Sequence, residues 1–270
     1  MLRMTSIRWC LAVLTAVVVA TPASSHAQAV SAIQSRARTF DRLDRTSRSL
    51  IAKLSCARGT AQSRSRGLFG PLDSLGGRGM CIVRNGRVLG LFLGTDSAMS
   101  RALTLRVVDL ANAVRDTAPV DTGAILAEAR AASHATLRGH PQFEREQRQY
   151  APFSIRSDGD SIEVWLLPAT LLLGQVPTSL GGERGFIFSP DARTLVREID
   201  AFDRFRTITP PLTGPVDLQS LETDLPLLSE LLAMTRLHER GRIVSLSTKT
   251  YTSSLVGAEP NAMWVHSARD

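Results

Sequence analysis

The first 29 residues constrain the fold most, because they have the pattern of a secretory signal peptide. Arg3 and Arg8 form a short positive segment without acidic residues, and an apolar run over residues 9–20 follows. A transmembrane helix needs about 20 consecutive apolar residues, so this run is too short to anchor the chain in a bilayer. The segment therefore predicts a protein that folds in the periplasm or outside the cell.

The end of this segment carries small residues at the two positions that a signal peptidase reads, Ala27 and Ala29. We predict cleavage after Ala29, which leaves Val30 as the N-terminus, and cleavage after Ala27 is the alternative. A lipid anchor is not expected, because Cys10 lies at the start of the apolar run rather than after it. Later apolar runs are all shorter than a bilayer requires, so we expect no transmembrane segment after cleavage.

Cleavage removes Cys10 and leaves Cys56 and Cys81 as the cysteines of the mature chain. An even number of cysteines in an oxidising compartment usually indicates disulfide bonding. We predict a disulfide between Cys56 and Cys81, with two buried free thiols as the alternative. A redox or metal role is a third interpretation, although the spacing is not that of a Cys-x-x-Cys pair.

The formal net charge of +7 falls by the two charges of Arg3 and Arg8 when the signal peptide is removed. Most of the positive charge is arginine, since lysine occurs only at positions 53 and 249. This bias is typical of a GC-rich genome, so the high isoelectric point is weak support for a polyanionic partner. Nucleic acid is not an expected partner.

Basic side chains are concentrated in residues 36–66, where only Asp41 and Asp44 oppose them. Apolar residues recur there at helical spacing and predict an amphipathic helix over residues 30–55. A helix docked by its apolar face, with a solvated basic face, is the simpler interpretation. The functional alternative is contact with an anionic lipid or lipopolysaccharide surface. The residues that would make this contact are Arg36, Arg38, Arg42, Arg45 and Arg48.

Hairpin signals dominate the rest of the chain. Asn85-Gly86 supplies the positive φ angles of a tight turn and separates the strand-like residues 81–84 and 87–93. Two further hairpins are predicted over residues 153–166 and 185–200 by alternating apolar residues on either side of turn-forming sequences. Residues 242–256 and 262–267 read as closing strands.

The remaining segments read as loops and short helices. Residues 58–79 are rich in Ser, Arg, Gly and Pro and predict a loop, while residues 101–110 fit both a strand and a helix, and we favour the strand. Asp121 or Thr122 caps a predicted helix over residues 123–137. Asp224 caps a second helix, which runs from Leu227 to Arg240 and ends at Gly241.

Together these elements predict an α+β fold: an antiparallel, meander-like sheet built from hairpins, with a few packed helices and a preceding N-terminal amphipathic helix. We divide the chain into the signal peptide (1–29), a basic helix and loop (30–66) and a single α+β domain (67–270). A doubly wound parallel fold is not expected, because strands and helices do not alternate regularly.

One short motif resembles a catalytic sequence. Asp121-Thr122-Gly123-Ala124 is similar to the Asp-Thr-Gly-Ala segment of aspartic proteases. That chemistry needs two carboxylates that share a proton, and this chain has no second copy of the motif. We therefore interpret Asp121 as a helix cap.

Other candidate sites are weaker. His134 and His140 lie near two glutamates, but their spacing fits no common zinc pattern, and we expect His140 to lie in a loop. Ser245, Ser247 and Lys249 would share one face of a strand, which allows a Ser–Lys pair in principle. The polar residues around them instead favour an exposed edge strand. We expect no metal and no cofactor.

No convergent catalytic set is visible, so the sequence favours a non-catalytic binding or envelope-associated interaction module, with an unknown ligand, an envelope protein or an anionic lipid surface as partner. The alternative is a periplasmic or secreted hydrolase whose site is scattered along the chain. The residues to test for that alternative are Asp121, His134, His238 and Ser247.

Overall fold

A computed structural model describes residues 23–67, 78–84, 87–97, 99, 101–112, 114–116, 119–146, 150–156, 161–168, 178–199, 205–220, 224–259 and 261–269. The helices of these residues are α1 (Ala23–Ser65), α2 (Thr122–Glu146) and α3 (Leu228–Glu239). The strands are β1 (Arg78–Arg84), β2 (Arg87–Thr95), β3 (Ala102–Asp109), β4 (Val114–Arg115), β5 (Tyr150–Arg156), β6 (Ile162–Pro168), β7 (Thr178–Gly181), β8 (Arg184–Phe188), β9 (Leu195–Ile199), β10 (Phe205–Ile208), β11 (Val216–Ser220), β12 (Val244–Thr248), β13 (Tyr251–Val256) and β14 (Met263–Ala268).

The strands form separate sheets. β1 to β4 follow one another as an antiparallel meander, β5-β6-β8-β9 form a second sheet, and β7 pairs with β10. The C-terminal sheet has the order β11-β12-β13-β14, in which β11 and β12 are parallel and the other pairs antiparallel. α3 connects the two parallel strands, as a parallel pair requires a crossover connection. The α+β class and the hairpin-built sheets are therefore confirmed.

The predicted hairpins are confirmed by strand register. Arg84 pairs with Arg87, so only Asn85 and Gly86 separate β1 from β2, although these two residues lie outside the described part of the chain. β5 pairs with β6 across residues 157–160, and β8 pairs with β9 across a turn at residues 189–194. Residues 101–110 form a strand, β3, as we favoured.

α1 is longer than the sequence predicted. It covers residues 23–65 rather than 30–55, so the predicted loop is wrong for residues 58–65. Residues 66 and 67 form a turn, and residues 68–77 lie outside the described part of the chain. Gly59 lies in this extension, and a Cβ atom there would lie 3.1 Å from Leu110 Cδ1. The helix backbone therefore approaches the end of β3 closely. Most of the predicted signal peptide lies outside the described residues, and only residues 23–29 are seen, in the first turns of α1.

The inner face of α1 contributes to the largest apolar core. Phe40, Leu50, Ile51 and Leu54 are buried there against α3 and the C-terminal sheet. The other members of this core come mainly from β6, α3 and β11 to β14, including Leu231, Leu232, Met234, Leu246 and Trp264. The expectation of a helix docked by its apolar face is met, and α1 shares one core with strands more than 200 residues further along the chain.

The helix ends differ in part from the predictions. Asp121 caps α2 as predicted, because its Oδ1 atom accepts a hydrogen bond from the Ala124 backbone N–H at 2.9 Å. α2 then continues to Glu146, so the loop predicted at His140 is wrong. The Asp224 cap is also wrong: α3 begins after Leu227, whose N–H donates to Glu230 Oε2 at 2.9 Å. Gly241 has φ +78° and ends α3 as predicted.

β12 is not an edge strand. It lies between β11 and β13, and its last residue, Thr248, has no exposed surface. The prediction failed because β11 is parallel to β12 and is separated from it by a helix, so local sequence pattern does not reveal the pairing. None of the helices in the described residues is both long and apolar enough to cross a membrane.

The Cys56 and Cys81 sulfur atoms are 2.11 Å apart, which is disulfide bonding distance, and they join α1 to β1. The closed loop spans a sequence separation of 25 residues. In the chain-entropy account, such a crosslink stabilises the fold by reducing the freedom of the unfolded chain.

We expect the double substitution Cys56→Ala and Cys81→Ala to lower the free energy of unfolding by about 3 to 4 kcal/mol, the loop-closure term for this separation. Urea unfolding followed by circular dichroism measures the change. The unsubstituted protein under reducing conditions is the matched control and should resemble the double variant. Equal stability of the oxidised protein and the double variant would contradict the structural role of this disulfide.

Candidate anion-binding site at a buried arginine

The candidate site begins with an arginine on the inner face of α1. Arg36 precedes Phe40 by one helical turn, so both side chains point into the protein. Arg36 is only 7% exposed and Phe40 is fully buried. The helix therefore carries a charged group into the same layer as its apolar residues.

The end of β12 and the start of β13 form the opposite wall. Arg36 Nη2 donates a hydrogen bond to Thr248 Oγ1 at 3.2 Å, and the guanidinium carbon lies 4.3 Å from the centre of the Tyr251 ring. A second ring, that of Phe40, is 5.9 Å away. Contact with aromatic faces stabilises a desolvated guanidinium, by about 2 kcal/mol in favourable cases.

The aromatic contacts of Arg36 do not take the place of an ion pair with an acidic side chain. Arg36 Nε and Nη1 are buried and have no hydrogen-bond partner, and no carboxylate of the described residues forms an ion pair with the group. Burial lowers the pKa of Arg36, while Tyr251 and, to a smaller degree, Asp224 act in the opposite direction. Arginine nevertheless keeps its proton in proteins, so the site holds a buried positive charge.

His266 on β14 is the second polar group of the site. Its Nδ1 atom lies 2.8 Å from Ser253 Oγ, and its ring centre lies 4.6 Å from that of Phe40. The other ring nitrogen, Nε2, is buried without a partner. Burial and then the positive charge of Arg36 lower the pKa of His266, against a smaller opposite effect of Asp41. The imidazole is therefore neutral at neutral pH.

The arrangement is better suited to binding than to catalysis. Ser253 and His266 have the hydroxyl–imidazole contact of a nucleophile and its base, but Ser253 is fully buried in the inward face of the sheet. The charge of Arg36 also makes the imidazole a weaker base. By contrast, Arg36 Nε and Nη1 are buried donors without an acceptor, and an anionic oxygen satisfies such donors best.

The five arginines predicted to contact an anionic surface are not equivalent. Arg36 is buried, and Arg48 is held by Asp44 at 2.7 Å and by Glu259 at 2.6 Å. The three others, Arg38, Arg42 and Arg45, are exposed and make no ion pair with a described residue. They are spaced four and three residues apart and form one stripe on the outer face of α1.

None of the contacts of the four residues named for a scattered hydrolase site joins one of them to another. Asp121 caps α2, and His134 lies 6.2 Å from Phe188, measured between ring centres. At the end of α3, His238 contacts the carbonyl oxygens of Arg242 and Gly257 at 3.2 and 2.8 Å. Ser247 Oγ lies 3.1 Å from Asp217 Oδ1.

The proposed Ser–Lys arrangement is also not formed. Ser245 and Ser247 both donate to Asp217 Oδ1, and Lys249 lies beyond the end of β12 in an exposed turn. The described residues contain no group of three or more histidine, cysteine, aspartate or glutamate side chains arranged to hold a metal ion.

A second buried polar cluster lies at the start of α3. Glu183 is 3% exposed, and its Oε1 atom accepts the Ser229 backbone N–H at 3.1 Å while Oε2 has no partner. Burial raises the pKa of Glu183, and the nearby carboxylate of Glu230 adds to the shift. Glu230 itself is paired with Arg206. The cluster joins the turn before β8 to α3, and Glu183, Ser229 and Glu230 are buried, so we assign it a structural role.

We expect Glu183→Gln to stabilise the protein at neutral pH, because glutamine has nearly the same shape but carries no charge to be desolvated at this buried position. The raised pKa means that folded Glu183 holds its proton more tightly than the unfolded chain does. Its ionisation therefore costs stability as pH rises above the ordinary glutamate range, whereas glutamine does not ionise.

Thermal unfolding of both proteins from acidic to neutral pH measures this effect. The stabilities should converge below about pH 4, where glutamate is protonated in both the folded and unfolded states. Ser229→Ala is not a suitable control, because Ser229 Oγ accepts the Gly181 N–H at 2.9 Å. Glu198→Gln, at an exposed glutamate that pairs with Arg138, is the control for the loss of one negative charge. A destabilised Glu183→Gln variant at neutral pH contradicts the prediction.

No protein-family model matches the chain, and the comparisons with curated proteins and with solved structures likewise give no match.

Proposed function

We propose that this protein is an exported, non-catalytic binding module of the cell envelope, and that its ligand carries an anionic group. One observation carries the proposal: Arg36 is 7% exposed, and two of its nitrogens have no partner. An uncompensated buried charge costs several kcal/mol. An arginine kept in such a place is well explained if an anion completes the site. The predicted signal peptide supports the periplasmic or secreted location.

The chemistry of the site favours a carboxylate or phosphate group. Arg36 Nε and Nη1 are donors, and an ionised oxygen forms shorter and stronger hydrogen bonds with guanidinium than a neutral acceptor does. His266 Nε2 supplies another donor when it carries the proton, with Ser253 holding the opposite side of the ring. An anion in the site would also favour the protonated form of His266.

The surroundings of the site favour the approach of an anion. The turn between β12 and β13 exposes Lys249, and Arg269 Nη1 donates to the Thr248 carbonyl oxygen at 2.9 Å. Both charges lie at the end of the sheet where Thr248 and Tyr251 cover Arg36. Tyr251 is only partly buried, whereas Thr248 is fully buried. The local positive field would raise the encounter rate of an anionic ligand.

We expect inorganic phosphate to raise the midpoint of thermal unfolding of the unsubstituted protein, at constant ionic strength relative to chloride. A ligand about tenfold above its Kd stabilises the native state by about 1.4 kcal/mol. Arg36→Met keeps the apolar length of the side chain but removes the charge, so it should abolish this rise. Acetate, titrated in the same way, tests whether a carboxylate suffices.

Arg38→Met is the matched control, because Arg38 is exposed on the same helix. It should keep the phosphate response. Without phosphate, Arg36→Met should be at least as stable as the unsubstituted protein, since it removes an unpaired buried charge. The opposite pattern, in which Arg36→Met is destabilised and phosphate has no effect on any of the proteins, would mean that Arg36 is only a structural partner of Tyr251.

A second candidate function is contact with an anionic lipid surface through Arg38, Arg42 and Arg45. The observation that favours it is their exposure in one stripe on α1 without ion pairs to described residues. Each arginine near an anionic membrane contributes about 1 kcal/mol, and this attraction falls within a Debye length. Arg36 and Arg48 would not take part, because Arg36 is buried and Arg48 is paired with Asp44 and Glu259.

We expect the unsubstituted protein to bind phosphatidylglycerol vesicles at low salt and to dissociate as salt is raised. Replacing Arg38, Arg42 and Arg45 together by glutamine should weaken this binding by at least about tenfold. The double variant Arg38→Gln and Arg42→Gln is compared with Arg193→Gln and Arg197→Gln, which removes the same two charges at exposed positions away from α1. No binding to anionic vesicles at low salt would dispose of this candidate.

A further inference from the structure

Two guanidinium groups are held on one residue at the end of the C-terminal sheet. Thr248, the last residue of β12, accepts a hydrogen bond from Arg36 Nη2 on its hydroxyl oxygen at 3.2 Å. Its carbonyl oxygen accepts a second hydrogen bond, from Arg269 Nη1 at 2.9 Å. The backbone N–H of Arg269 also donates to the Thr250 carbonyl oxygen at 2.8 Å. The fold therefore holds a second positive charge beside the buried one.

The acidic side chains of the described residues do not neutralise these charges. Arg36, Arg269 and Lys249, the last of which lies in the adjoining exposed turn, form no ion pair in that part of the chain. Asp224 acts on Arg36 through its charge, but its Oδ1 atom accepts the Thr250 hydroxyl at 3.1 Å. Like charges on one residue repel each other, most strongly where one of them is shielded from water.

A ligand with two anionic groups would offset this repulsion better than a ligand with one. The first group would accept hydrogen bonds from the buried Nε and Nη1 atoms of Arg36, and the second would bind Arg269 and Lys249. Because both arginines contact Thr248, the two anionic groups must be joined by a short link. A diphosphate has this form, and each phosphate offers several ionised oxygens to guanidinium donors.

We infer that the ligand of the Arg36 site carries a diphosphate, with one phosphate at Arg36 and the other at Arg269 and Lys249. This inference rests on the proposed function and adds to it the number and the spacing of the ligand's anionic groups. The shared chemistry covers a free diphosphate and a diphosphate headgroup of a lipid.

Isothermal titration calorimetry at constant ionic strength, with inorganic phosphate and pyrophosphate as probes, tests the inference. The Kd of the unsubstituted protein for pyrophosphate should be at least about tenfold below that for phosphate, because the second group binds intramolecularly once the first is in place. The double variant Lys249→Met and Arg269→Met should lose this preference while its Kd for phosphate stays nearly unchanged.

The double variant Arg193→Met and Arg197→Met is the matched control, because it removes two exposed positive charges away from the site. It should keep the preference for pyrophosphate. Lys249→Met alone covers the case in which the first double variant fails to fold, since it leaves the hydrogen bond from Arg269 to Thr248 in place. It should reduce the preference for pyrophosphate in part.

The outcomes separate this inference from the proposed function. Equal affinity for the two probes overturns the diphosphate assignment and leaves the single-anion site standing, whereas binding of neither probe overturns both. Pyrophosphate binding that is unchanged in Arg36→Met also overturns the inference, because it assigns binding to the exposed charges alone. Where pyrophosphate is preferred, competition by phosphatidylcholine vesicles that contain farnesyl diphosphate supports a lipid headgroup, and no competition supports a free diphosphate.

Discussion

The packing of the inner face of α1 is the constraint on which the other parts of the structure depend. This helix contacts α3, β1, β2, β5 and β14, so it lies against elements of three different sheets. Phe40, Leu50 and Leu54 bring apolar surface into the largest core, and Cys56 ties the same helix to β1. Without α1, the inner face of the C-terminal sheet and one side of α3 would be exposed to water.

Local signals in the sequence were enough to predict much of the fold. Asn85-Gly86 predicts a hairpin because few other residue pairs tolerate its turn, and the register of β1 with β2 agrees. The ends of the helices were harder to predict. Asp224, for example, has a side chain suited to a helix cap but instead accepts a hydrogen bond from Thr250. The parallel pairing of β11 with β12 depends on tertiary contacts, and the alternation of apolar and polar residues along a strand does not predict it.

The candidate site illustrates the same limit. Arg36 precedes Phe40 by four residues, so helical spacing places it on the apolar face, and this signal was available in the sequence. The five arginines predicted to contact an anionic surface are alike in residue type, and only helical position distinguishes Arg36 from the other four. Thr248, Tyr251 and His266 carried no comparable signal, because they reach Arg36 only after β12, β13 and β14 have paired. Burial and the missing acidic partner become visible only in three dimensions.

The contact between α1 and β14 also has a consequence for the order in which the protein can fold. Asp44 and Trp264 are separated by 220 positions, and Arg36 and Thr248 by 212. A chain made from its N-terminus presents the apolar face of α1 first and the strands that cover it last. Contacts of such long sequence separation are slow to form. The part of this face around Phe40 must therefore remain uncovered until nearly the whole chain has emerged, a period in which a chaperone would have a clear binding target.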